Sequence, residues 1–368
     1  MAGLRPFVEA DVPPVADLVW RVLHERQSAT PASLRVHLNE LFLHNPWMDE
    51  GIVSRVFENT DGKILGFFGA LPRRMTLQGE TVRLAFGSNL VVDPESRASI
   101  VAMQLVRAFM KGTQDISITD SANEMSRPLL KSLGFNVVPI YSLVWGRPLR
   151  PFQYGANSFA RLKKGSTIST IASLAKPVLG LADIVANKAK PSPFAQTQVW
   201  SEDEELDFRT LVECLRTIPS KHWILPEYDE NSMTWILDFI SKRNVFGPLR
   251  KALVRNKEKK AVGWYIYSLS PSGIGEVFQI GSESTSVGLV LDHLFHDAWK
   301  RGLLGLQGRL EPQFMQELTS KSCFFFRHGS WTLIHSSKPN LLALFQGGTA
   351  FFSRLDGEWS LRHGAIEA

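Results

Sequence analysis

Cysteine is nearly absent from this chain: Cys214 and Cys323 are the only two among 368 residues. Two cannot build a disulfide framework, and their spacing fits no metal site. A reducing compartment is the expected home, and the cytoplasm is the simplest one. Long apolar runs are missing too. No uninterrupted stretch of about 18 apolar residues occurs, so no membrane-spanning helix is expected. The opening, MAGLRPFVEAD, holds no apolar signal segment. No G-x-S-x-G elbow and no P-loop is present, which removes two common catalytic and nucleotide motifs. His222, His293, His296 and His335 make no spaced ligand set, so no metal is expected. His293 and His296, flanked by Asp292 and Asp297, read as part of an exposed polar helix face.

Acidic residues are scarce in one place. Residues 151–200 carry 6 basic side chains and 1 acidic one, against 16 and 15 in residues 1–150 and 19 and 20 in residues 201–368. The net charge of +5 therefore equals the surplus of the middle segment. Lys163-Lys164 is too short for a nucleic-acid patch and the flanking parts are near neutral, so no nucleic-acid partner is expected. In this segment Ile171, Leu174, Ala175, Val178, Ala182 and Val185 recur at helical spacing, interrupted by Pro177 and Gly180. The spacing predicts a bridging helix over Ile168–Ala186 with its apolar stripe covered by protein. The other reading of residues 160–190 is a basic amphipathic element in peripheral contact with an anionic membrane.

What is present is a 44% hydrophobic, 21% charged chain with the length of two ordinary domains. One stretch organises it. Leu84 to Val92, LAFGSNLVV, is an apolar extended run around Gly87-Ser88-Asn89. Asp93-Pro94-Glu95 turns the chain, because proline fixes φ and removes a donor. A helix follows, with Ala102, Leu105 and Phe109 on one face and Val106 and Met110 beside them. Ile116–Thr119 is a short strand, and a second helix runs from Asn123 to Gly134, where a C-cap needs positive φ. Strand, crossover helix and strand make a parallel unit. Before it come a strand at Leu4–Phe7, two helices, and strands at Ile52–Phe57 and Ile64–Leu71. After it, Asn136–Trp145 supplies one more strand. The second half repeats the order, with strands at Lys251–Arg255, Ala261–Leu269 and Gly275–Ile280, a helix at Val287–Arg301 and a strand at Leu303–Leu310.

These residues resemble the core of the GNAT acyltransferases. Val92-Asp93-Pro94-Glu95-Ser96-Arg97-Ala98-Ser99-Ile100-Val101-Ala102 follows the family's V-x-P-x-x-R-G-x-G-x-G/A donor loop, and Ala122-Asn123 with Leu133-Gly134-Phe135 follows its A-N…G-F motif. Ala98 and Ile100 stand where that pattern has glycines. The resemblance implies an α/β fold of two GNAT-like domains in tandem: residues 1–148, a basic linker at 149–199, and residues 200–368. It implies an N-acyltransferase taking acetyl-CoA or another acyl-CoA, with an amine of a small molecule, amino sugar or amino-acid-like acceptor. The donor would lie on Leu90, Val91, Val92, Arg97, Ala98, Ser99, Ile100, Val101, Ala102 and Asn123, with backbone amides gripping the pyrophosphate. The family often places a glutamate base on the strand before the donor loop. The first half has Ser88 and Asn89 there, and the second half has Glu276. The tyrosine acid expected seven residues after Asn123 is Leu130. The alternatives are a non-catalytic scaffold of the same fold, or a peptidoglycan-type aminoacyl transferase.

Overall fold

The computed structural model describes residues 3–24, 28–96, 98–162, 176–188, 203–218, 223–242, 246–327 and 329–363, with four isolated positions between 192 and 199. Fifteen strands among them form two mixed sheets. The strands are β1 (Gly3–Pro6), β2 (Arg55–Glu58), β3 (Ile64–Leu77), β4 (Glu80–Val92), β5 (Ile116–Ala122), β6 (Asn136–Val137), β7 (Leu143–Pro148), β8 (Asp203–Glu205), β9 (Ile224–Pro226), β10 (Leu249–Arg255), β11 (Ala261–Ser268), β12 (Ile274–Ser282), β13 (Gly305–Arg309), β14 (Phe324–Arg327) and β15 (Trp331–His335). The first sheet runs β1-β2-β3-β4-β5-β15-β6, with β9 also on β3; the second runs β14-β7-β13-β12-β11-β10-β8. Each has one parallel pair, β4 with β5 and β12 with β13. A crossover helix joins each pair, Ala98–Met110 in one and Val287–Lys300 in the other. The α/β architecture therefore agrees with the sequence.

The sheets exchange strands. Asn136–Trp145 does not form one strand of the first sheet. It breaks at Pro139 into the two-residue β6 and the separate β7, and β7 pairs with β13 and β14 of the second sheet. In return β15, from the second half, sits between β5 and β6. The boundaries at 148 and 200 thus divide the chain but not the sheets. The largest apolar core spans both halves, joining Phe86 and Ile118 to Phe278, Phe345 and Trp359.

Long β3 explains a second joint. Its first part pairs with β2 and its last three residues pair with β9 along the same edge. Pro72, which has no N–H, falls in the gap between those partners. Opposite, β4 carries a bulge: Phe67 faces Val91 and Gly69 faces Ser88, so one extra residue lies on β4. Asn89 absorbs it at φ 52°. Gly69 is needed there, since a Cβ would meet the Phe42 ring at 2.2 Å.

The middle segment corrects one expectation. In the helix Lys176–Lys188, Val178, Leu181, Ile184 and Val185 are exposed rather than covered. The rest of the predicted stripe, with Lys163-Lys164, lies outside the described residues. Among the described residues no helix is long and apolar enough to cross a membrane. The polar-face reading of Val287–Lys300 also fails. His293 and Asp297 are buried, and Asp297 receives Tyr267 Oη at 2.8 Å and pairs with Arg301 at 2.8 Å.

Strand exchange makes the halves interdependent. Full-length chain should unfold in urea as one transition by circular dichroism and fluorescence. Residues 1–148 expressed alone should stay unfolded, because β5 and β6 lack β15 between them. Two separate transitions, or a folded 1–148 fragment, would sink this.

Candidate active site

Two parallel strand pairs part company, and the site is built where they do. β4 and β5 pair from Leu84–Ile116 to Phe86–Ile118. Beyond that β5 is held from its other side by β15, while β4 bulges away. A fork opens, with Gly87–Val92 on one prong and Thr119–Ala122 on the other. β12 and β13 do the same after Val277–Gly308, and β12 carries its own extra residue, Phe278.

The segment Ala350–Leu361 runs through both forks. Every residue in it is buried, including Ser353, Arg354, Asp356, Glu358 and Ser360. At the second fork Leu355 N donates to Phe278 O at 3.1 Å and Arg309 Nη1 donates to Ser353 O at 3.1 Å. At the first, Glu358 N donates to Asp120 Oδ1 at 3.1 Å. Its carboxylate accepts Thr119 Oγ1 at 3.0 Å and a short bond from Ser121 Oγ. Burial pushes the Glu358 carboxyl up, and neighbouring Asp120 adds to this. Arg362, Ser121 and Ser88 pull the other way. Arg309 closes an ion pair on Asp120 and lies 4.2 Å from the centre of the Phe352 ring, so the two sheets are tied through buried charge.

Glu276 lies on β12 before the second fork. Its carboxylate pairs with Arg354, accepts Gln307 Nε2 at 3.0 Å, and is buried. Burial raises it to about 7 against the pull of Arg354 and Gln307. Its partners make it an anchor for Arg354, whose guanidinium stacks 3.5 Å over Trp359. Ser88 and Asn89 stand at the first fork, where Ser88 Oγ donates to Asn89 Oδ1 at 3.0 Å. So Ser88 and Asn89 on one side and Glu276 on the other occupy different sheets, linked through the tail.

The donor-loop residues are distributed as follows. Leu90 and Val92 are half-buried and Val91 is buried; Ser99 and Ile100 are exposed, Ala102 is half-buried and Val101 is buried. Arg97 lies outside the described residues, and of Ala98 only the helical backbone is described. The amides of Glu95 and Ser96 are already taken by Asp93, at 3.1 and 3.0 Å. The first turn from Ala98 is thus what the loop offers an anion. Asn123 caps the following helix, accepting Met125 N at 3.1 Å and Ser126 N at 2.9 Å.

Sequence reasoning missed Glu358 and the whole tail. Their only local signal was density of charge among aromatics in FFSRLDGEWSL. Glu276 supplies a test of the burial argument. A folded-state value above the unfolded one favours the protonated acid, so this group's contribution to stability weakens as pH rises from about 4.5 to about 7. Glu276→Gln should flatten that slope in urea midpoints measured across the range; an unchanged slope would refute it.

No family model matches the chain, and no curated protein does either. Its fold has solved counterparts. A conserved protein of Enterococcus faecalis V583, described as a probable N-acyltransferase, superposes with a TM-score of 0.57 at 11% identity over 91% of this chain and 73% of that one. A GCN5-related N-acetyltransferase of Anabaena variabilis gives 0.51 at 12% over 92% and 74%. One from Kribbella flavida gives 0.50 at 12% over 91% and 72%. The two bulged, forked sheets and these superpositions give the chain the fold of the GCN5-related N-acyltransferases over nearly its whole length.

Proposed function

We propose that the protein is an acyl-CoA-dependent N-acyltransferase whose donor lies along the outer part of the first fork, past the tail that fills its inner end. The observation that carries this is a buried carboxylate, Glu358, held at the inner end of the β4–β5 fork by Thr119 and Ser121. The divergence frees backbone groups of Gly87–Val92 for the amide arm of a pantetheine, and the pyrophosphate would meet the first turn of Ala98–Met110. Acyl transfer to an amine needs a base, since an ammonium has no lone pair to attack with. Glu358 would take that proton as nitrogen attacks the thioester carbon. The tetrahedral intermediate then collapses and expels the CoA thiolate. Glu276, paired with Arg354, holds the tail that presents Glu358. The acceptor is a small amine.

A thermal-shift series with acetyl-CoA, longer acyl-CoAs and free CoA tests the donor. Binding to the native state raises the midpoint by mass action. No shift at millimolar concentration would end the enzyme reading in favour of a scaffold. With a turned-over amine in hand, Glu358→Gln should lower kcat about 10²- to 10⁴-fold and leave CoA affinity unchanged. Because burial raises this carboxyl, the rate should fall away as pH drops through a value above the ordinary carboxylate range.

The reading includes a peripheral membrane contact through the middle segment. Its one acid, Asp183, is buried, capping the helix Pro151–Leu162 by accepting Phe152 N at 2.8 Å. That leaves exposed Val178, Leu181 and Val185 in a segment whose other charges are all basic. The chain should float with vesicles containing anionic lipid and not with neutral ones, and Leu181→Asp/Val185→Asp should abolish flotation. Equal behaviour with both vesicles would remove the contact.

A further inference from the structure

Asp120 joins three parts of the chain at one carboxylate. It lies on β5 and is buried. Oδ1 accepts Glu358 N at 3.1 Å. Oδ2 closes the ion pair with Arg309 of β13, whose Nη1 donates to Ser353 O at 3.1 Å. One oxygen is thus spent on the tail backbone and the other on a cation from the second sheet.

The strand is shaped for this. Trp331 faces Ala122 and Leu333 faces Thr119, so β5 carries one extra residue between these pairs. A bulge takes side chains out of strict alternation and re-aims them. Three consecutive residues then reach Glu358: Thr119 and Ser121 bond to its carboxylate and Asp120 to its backbone. Gly357 permits the approach. A Cβ there would stand 2.0 Å from Asp120 Oδ2 and 2.7 Å from its Cγ, so the tail backbone lies directly on the acid.

The surroundings of Glu358 give Asp120 a second effect. Burial comes first and the charge of Asp120 second in favouring the protonated form of Glu358. Arg362 of the tail, Ser121 of β5 and Ser88 of β4 oppose them. Arg309 stands behind Asp120, while Arg354 of the tail interacts with Asp120 and pairs with Glu276. A base that must take a proton from an amine is helped by an acid fixed beside it.

We propose that Asp120 is a positioning residue for Glu358, fixing its backbone at the inner end of the first fork and setting a negative charge beside its carboxylate. This rests on the reading of Glu358 as the base. It brings the second sheet into the chemistry of the first fork, because Arg309 holds Asp120 in place.

The titration of Glu358 can be read without CoA or amine. Full-length chain labelled with carbon-13 at the glutamate side-chain carboxyls would be titrated by NMR, the Glu358 signal being the one that Glu358→Gln removes. Asp120→Asn keeps the size and an acceptor oxygen but loses the charge, so the Glu358 titration should move to lower pH. Asp115→Asn, which breaks an ion pair with Lys338 just before the other end of β5, should leave it in place. If Asp120→Asn fails to fold because Arg309 is left buried and unpaired, Asp120→Asn/Arg309→Gln decides. It removes both charges and should still lower the Glu358 titration, Asp120 being the member of the pair that bonds to Glu358. With a turned-over amine, the acid limb of the kcat profile should move the same way, and kcat should fall about ten- to a hundredfold with CoA affinity unchanged. A chain that turns over no amine fails the acyl-transfer reading. A Glu358 titration that stays in place or rises without the Asp120 charge, or that moves equally in Asp115→Asn, overturns the role of Asp120 whatever the chain turns over.

Discussion

The structure depends on burying a charged segment and satisfying it. Ala350–Leu361 places two acids and an arginine in the centre of the molecule, where an unpaired charge costs several kcal/mol. Arg354 meets Glu276, Asp356 meets Tyr228 and Ser353, and Glu358 meets Thr119 and Ser121. Those partners come from both sheets. The sheets can form their forks only in the relative position that lets the tail complete these bonds, so satisfying the polar groups fixes the geometry more narrowly than apolar contact does.

Strand exchange works in the same direction. β7 and β15 each complete the sheet built mainly by the other half, and β9 adds a third link by pairing with β3. The gap that β9 and β2 leave on β3 holds Pro72 and the buried Arg73. β15 holds β5 from its far side, and the fork between β4 and β5 receives the tail with Glu358. Both features are consequences of pairing between segments far apart in sequence. Each buries a charged group, Arg73 in one and Glu358 in the other, and burial raises the affinity of Glu358 for protons.

Glu276, the residue the sequence offered as a base, is held by partners from two other segments. It sits on the strand that precedes a fork and is buried, as a base would be. Yet Arg354 and Gln307 hold its carboxylate. The carboxylate at the other fork comes from the tail, far away in the chain.

Much was settled locally. The apolar runs of β3 and β4, the turn at Asp93-Pro94, the helix Ala98–Met110 and the Asn123 cap follow from short-range rules of backbone and side chain. Those rules carried the order of elements and the forked α/β class. The exchange of β7 and β15 was not legible, because pairing partners in a sheet are chosen by the packing of distant segments and a strand's sequence does not name its neighbour. Nor was the tail. FFSRLDGEWSL mixes charge with aromatics and names none of the partners that satisfy it: Tyr228, Arg309, Asp120 and Glu276 reach it only across folded chain. Sequence determined the elements, while burial of charge between two sheets, a property of the assembled molecule alone, decided where the site lies.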